Sequence, residues 1–190
     1  KILNKKTNKH FNKINSSSKE VDKKTIFIID SKKKIKREYI DEAIKRKIPA
    51  IITNKIYHQL PLFQIVVKDI EKETQKLLTS LKPFKPINTV AITGTNGKTS
   101  VAWYISEICR LNNIKIKMQG TLGYYVNGKK IKNGSLTTPT YETLHQNGFS
   151  KIKNKYTFVF EASSHALHQD RIKKYPINIA AITNITHEHL

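Results

Sequence analysis

The segment Thr93-Gly-Thr-Asn-Gly-Lys-Thr-Ser100 constrains this chain more than any other stretch of its 190 residues. It follows an apolar run, Asn88 to Thr93, that reads as a strand. It opens a run, Thr99 to Asn112, that reads as a helix with Ala102, Ile105, Ile108 and Cys109 facing inward. A glycine-bearing turn between strand and helix is the setting a phosphate-binding loop requires. Glycines let backbone N–H groups turn onto phosphate oxygens, and the helix N-terminus adds partial positive charge. Gly94, Thr95, Asn96, Gly97, Lys98, Thr99 and Ser100 are therefore the candidate nucleotide-binding residues. Lys98 is placed to reach the β- and γ-phosphates, and the Thr99 hydroxyl to hold Mg²⁺. The spacing is G-x-x-G-K-T, with Ile92 standing where the longer form of the motif has its first glycine.

Around this loop the chain divides in two. Before it come strand-like runs at Thr25 to Ile29, Ile48 to Thr53 and Phe63 to Val67. Helical spacing runs over Glu38 to Lys47, and over Asp69 to Leu81 with Ile70, Leu77, Leu78 and Leu81 on one face. Pro83 and Pro86 interrupt the periodicity, so the expected domains are 1–86 and 87–190. In the second, Asn127-Gly128 marks a loop or hairpin within the glycine-rich stretch Gly120 to Gly134. Further strands are expected at Tyr156 to Phe160 and Ile177 to Thr183. Strands separated by helices imply a parallel sheet. The expected fold class is α/β: a small N-terminal α/β domain, then a P-loop-type parallel-sheet ATP-binding domain that is incomplete at Leu190.

Composition narrows the partners. The formal charge of +21 invites a nucleic-acid reading, but only Arg37, Arg46, Arg110 and Arg171 are arginines, and the lysines are scattered along the chain. Nucleic-acid readers lean on the planar arginine fork, so a solvated lysine-rich surface is expected, with some attraction for an anionic, phosphate-bearing substrate. No apolar run approaches the ~20 residues needed to cross a bilayer, and the basic, Asn-rich start has no signal-peptide core. A single cysteine, Cys109, excludes an intrachain disulfide and fits a reducing compartment.

Two further strands end in suggestive residues. Tyr156 to Phe160 runs into Glu161, an acid at the place a Mg²⁺–nucleotide site needs one. Ile179 to Thr183 runs into Asn184, and His187, Glu188 and His189 follow. In an open parallel sheet the carboxyl ends of the strands form the ligand crevice. Placement at that shared edge is what raises Glu161 and His189 above an ordinary surface acid and an ordinary histidine.

These residues resemble the Mur ligase family, and within it the MurE type. Gly94-Thr-Asn-Gly-Lys-Thr99 matches the family's ATP signature. Gly120-Thr-Leu-Gly-Tyr124, Thr137-Thr-Pro139, Glu161-Ala-Ser-Ser-His-Ala-Leu167 with Arg171, and Thr183-Asn184 up to His189-Leu190 are similar to MurE in order and spacing. The likeness is weaker before Pro86, where Ser17-Ser18-Lys19 stands in place of the usual Asp-Ser-Arg; Glu188 replaces the usual Asp.

The resemblance implies a cytoplasmic, monomeric, ATP- and Mg²⁺-dependent ligase of cell-wall peptidoglycan synthesis. It would join a third amino acid, diaminopimelate or lysine, to UDP-MurNAc-L-Ala-D-Glu by way of an acyl phosphate. Lys98, Glu161 and His189 would be catalytic, with Thr99, Glu161 and His189 serving the metal and Asn184 the nucleotide. Thr137, Thr138, Ser163 and Arg171 would contact the UDP-MurNAc-peptide, and Ser18 its uridine. The family's carbamylated lysine and its amino-acid-binding domain would follow Leu190, so this chain alone is expected to be inactive. Rival readings are another Mur or folylpolyglutamate-type ligase, and a P-loop module that binds nucleotide or nucleic acid without ligation.

Overall fold

The computed structural model describes residues 2–3, 10–33 and 35–186. The chain forms two compact units, Lys1–Pro83 and Phe84–Leu190.

The first unit holds β1 (Ile2–Leu3), β2 (Lys13–Asn15), a 3-10 turn at Ser18–Glu20, β3 (Thr25–Ile29), α1 (Arg37–Lys45), β4 (Ala50–Thr53), β5 (Phe63–Val66) and α2 (Ile70–Leu81). Its sheet order is β1-β5-β4-β3-β2, parallel except for β1. Strands β3 and β4 are buried at every residue, as expected when helices cover both faces. Phe27 and Ile29 pack with Ile40 and Ala43 of α1, while period-2 alternation sends Ile26 and Ile28 to the other face. Helix α2 buries Ile70, Thr74 and Leu78, so a threonine completes the face expected from leucine spacing.

The second unit holds β6 (Asn88–Thr93), α3 (Lys98–Leu111), β7 (Ile116–Gly120), β8 (Gly123–Val126), β9 (Lys129–Lys132), α4 (Tyr141–Gly148), β10 (Thr157–Glu161), α5 (Ser164–His168) and β11 (Ile179–Ile182). Phe84 joins this unit through paired backbone bonds with Ser150. Sheet order is β11-β6-β10-β7-β8-β9. The first four strands are parallel, and β8 and β9 add an antiparallel edge, so the sheet is mixed. The β8–β9 turn falls at Asn127-Gly128, both with positive φ (50° and 78°), which a tight hairpin turn requires.

Alternation along the strands splits the core. Val90, Ile92, Val159, Ile116 and Met118 face α3, whereas Ala91, Phe158 and Phe160 face Leu144 of α4 and Tyr175. One expectation for α3 fails. Ala102 and Ser106 are buried and Ile105 and Cys109 pack on the core, but Ile108 is 60% exposed. It shares the outer stripe with Tyr104 and Leu111, four residues before and three after it, because side chains at those spacings stand on one face.

Candidate functional site

Strands β11, β6 and β10 are neighbours and parallel, with Ile182 level with Thr93 and Glu161 level with Ile92. The phosphate-loop motif, Glu161 and Asn184 therefore meet at one carboxyl edge. Gly97 adopts a left-handed conformation (φ 82°) as the N-cap of α3, a conformation that β-branched residues resist. Lys98 sits in the first turn, and its Nζ donates to the carbonyls of Gly94 and Thr95 (2.8 Å for Thr95). The amides of Lys98 and Thr99 belong to the first turn of α3, which has no intrahelical acceptors for its N–H groups.

Asn184 acts on the loop backbone. Its Oδ1 accepts from the Asn96 amide at 2.9 Å, its Nδ2 donates to the Asn96 carbonyl at 3.2 Å, and its own carbonyl accepts from the Thr95 amide at 3.0 Å. The Thr183 hydroxyl donates to the carbonyls of Thr93 and Asn96. The Thr186 amide in turn donates to the Thr95 hydroxyl at 3.0 Å. Residues 183–186 thus brace the loop from beneath. Two loop amides, those of Thr95 and Asn96, are committed to that brace. Gly94 allows the close approach: at φ +130° a Cβ there would stand 2.8 Å from the Asn184 carbonyl oxygen.

Glu161 is the last residue of β10 and only 1% exposed. Its carboxylate accepts three hydrogen bonds from the described residues. The Thr99 hydroxyl donates to Oε2 at 2.8 Å. Thr121 donates twice, from its amide to Oε1 at 2.9 Å and from its hydroxyl to Oε2 at 3.1 Å. Buried carboxylates require such charge-assisted bonds. Sequence reasoning placed Thr121 inside a family-like motif without giving it a role; its proximity to a residue 40 positions away is a product of β7 lying beside β10.

The remaining candidates form a second ring. The Thr138 hydroxyl donates to the Glu161 carbonyl (2.8 Å) and accepts from the Ser163 amide (2.8 Å). Ser163 caps α5, and Arg171 Nη1 donates to the Thr138 carbonyl at 2.8 Å. Thr137 is 3.0 Å from the Thr121 hydroxyl. Because the Thr121 proton goes to Glu161, Thr137 is the donor of that bond. Ser100 is exposed in the first turn of α3, and His165 is exposed on α5. In the first unit, Ser18 is buried and donates to Glu42 Oε2 at 2.6 Å. That bond, with Arg46 next, holds the Glu42 carboxyl below its ordinary value. His189 lies outside the described residues, as do Glu188 and Leu190. Among the described residues no three His, Cys, Asp or Glu side chains gather as a metal cluster.

Residues 92–190 match the family model described as the Mur ligase middle domain. The chain belongs to the Mur ligase family. Among curated relatives, the UDP-N-acetylmuramoyl-L-alanyl-D-glutamate–2,6-diaminopimelate ligase of Buchnera aphidicola is 36% identical over 166 residues, 87% of this chain and 30% of that protein. The enzyme of the same name from Rickettsia montanensis is 32% identical over 175 residues, 89% of this chain and 36% of the other. The chain therefore spans about a third of the length of these Mur ligases. In fold it resembles a solved diaminopimelate ligase of that name (TM-score 0.64, 24% identity, 95% of this chain and 37% of that one). It also resembles MurF ligase from Thermotoga maritima solved with ADP (TM-score 0.54, 20% identity, 90% and 37%). No helix among the described residues is long and apolar enough to cross a membrane.

Proposed function

We propose that this chain supplies the ATP-binding and UDP-substrate-binding parts of a MurE-type ligase, which extends UDP-MurNAc-L-Ala-D-Glu by one amino acid in peptidoglycan synthesis. The observation that carries the reading is the Thr99–Glu161 hydrogen bond, made by the residue that follows Lys98. A hydroxyl at the head of the helix and a carboxylate on the neighbouring strand are the oxygen ligands a Mg²⁺–nucleotide centre uses. The donor set fits: Mg²⁺ prefers oxygen and keeps several waters, so two protein oxygens and the phosphates suffice. With its proton directed to Glu161, Thr99 Oγ1 keeps its lone pairs for a metal.

Bound ATP would supply the phosphoryl group that activates the substrate carboxylate. The chain's own residues would position and neutralise. Lys98 would exchange the loop carbonyls for the β- and γ-phosphates, the first amides of α3 would receive phosphate oxygens, and Asn184 would keep the loop in shape. His189 is proposed as a further metal partner. Thr137, Thr138, Ser163 and Arg171 would line the approach of the UDP-MurNAc-peptide, and Ser18 in the domain before Pro86 would lie at the uridine end. The curated relatives' names specify 2,6-diaminopimelate, which is the amino acid proposed here. A cytoplasmic, monomeric enzyme without nucleic-acid function completes the proposal.

Calorimetric titration of the chain with ADP, with and without Mg²⁺, tests it. Binding that strengthens with Mg²⁺ and is lost in Lys98→Ala is expected. Binding that is indifferent to both changes would overturn the reading.

A further inference from the structure

We infer that the Gly120–Thr121 turn is a carboxylate clamp, in which Thr121 is a positioning residue that aims Glu161 at the phosphate loop and Gly120 leaves the space the carboxylate occupies. The inference rests on the proposed Mg²⁺–nucleotide reading of the site.

The geometry has three parts. First, among the described residues Thr121 supplies two of the three donors on the Glu161 carboxylate. The third is Thr99, which the reading assigns to the metal itself, so the bonds independent of the metal site all come from Thr121. Second, the Thr121 amide is fixed in direction. It lies in the two-residue connection between β7 and β8, whose Gly120 and Gly123 pair across the turn, and Gly123 sits at φ +118° to close it. An N–H held by a hairpin costs no reorganisation when it meets a charge. Third, Gly120 lies against the carboxylate. A Cβ there would stand 2.6 Å from Glu161 Cδ and 2.8 Å from Cγ. Its obstacle is the far end of a side chain, so a substituted chain can still fold by displacing the carboxylate from its place.

The clamp also reaches the other half of the site, because Thr137 donates to the Thr121 hydroxyl at 3.0 Å. One residue thereby links the proposed metal carboxylate to the threonine pair proposed for the peptide substrate.

The test uses the 190-residue chain with ADP, with Mn²⁺ as the probe and water-proton relaxation as the readout. Thr121→Val keeps the shape and removes the hydroxyl; about a 10-fold loss of Mn²⁺ affinity is expected, the lower end of what supporting contacts of metal ligands contribute. Thr121→Ser should restore most of it. ADP affinity without metal should be unchanged in both variants, a separation that general loss of structure would not give. Gly120→Ala provides a second route to the same carboxylate and should show the same metal-specific loss, with thermal melting by circular dichroism to confirm the fold. Thr121→Val and Gly120→Ala that both bind Mn²⁺ like the unaltered chain, while Glu161→Gln loses it, would overturn the clamp alone. Glu161→Gln that binds Mn²⁺ normally, or an unaltered chain whose ADP binding ignores Mn²⁺, would overturn the underlying function.

Discussion

Lys98 and Glu42 show how differently two polar side chains of this chain are employed. Lys98 is half-buried and, among the described residues, donates only to carbonyls of its own loop. Nothing in the core depends on it, so Lys98→Ala should change stability by only about 0.5–1 kcal/mol. Its loss should instead abolish measurable ADP binding by calorimetry while the melting curve stays close to that of the unaltered chain. Glu42 joins the 3-10 turn to α1 through Ser18. Its carboxyl is held below the ordinary value of 4.5, first by the Ser18 hydroxyl. A depressed folded value means the stabilisation is complete above the unfolded value and is lost as pH falls through the folded one. The melting temperature should therefore drop on acidification below about 4.5, and Glu42→Gln should show a shallower drop over the same range. Equal acid limbs in the two proteins would contradict this.

Among the elements, α2 and α4 have defined starts. Asp69 accepts from the Lys72 amide at 3.0 Å and Thr140 from the Thr143 amide at 3.3 Å, each satisfying a first-turn donor that the helix leaves open. Asp69→Ala should cost about 1 kcal/mol, read from urea denaturation, with the slope of the transition unchanged. Helix α3 starts differently: its cap is Gly97 and carries no side-chain bond, which keeps the first amides uncovered at the loop. Strand β7 is not among the expected elements. Its sequence carries a signal that the expected elements leave out, because Ile114 to Gln119 alternate apolar and polar residues, the period of a half-buried strand. In the fold, Lys117 extends to the carbonyls of Gly148 and Phe149 at the end of α4 and lies 4.1 Å from the Tyr156 ring centre. Those partners exist only after packing. Helix α4 also lies outside the expected elements, since its eight residues are too few for periodicity to stand out, yet Leu144 and His145 are buried.

For the whole molecule, two expectations can be measured. Its span of about a third of its curated relatives, 30% and 36% in two cases, leads us to expect no phosphate release dependent on UDP-MurNAc-dipeptide and diaminopimelate from this chain alone. Turnover by the isolated chain would refute that. The charge of +21 should give only weak DNA binding that vanishes as salt rises, because counterion release is its sole source; sequence-selective binding in a gel-shift assay at physiological salt would count against it. What the sequence determined by itself was everything set by local pattern. The glycine-bearing loop between strand and helix, the apolar runs of β3, β4, β6 and β10, and the turn at Asn127-Gly128 can all be read from a few neighbouring residues. Tertiary structure decided what depends on neighbours distant in the chain. It turned Ile108 outward, added the antiparallel edge, and set Asn184 beneath the loop. It also brought Thr121 to Glu161 across 40 residues. The physical reason is that dihedral preference and hydrophobic period act within a few residues, whereas the direction of a buried carboxylate is fixed by whichever donors the adjoining strand presents.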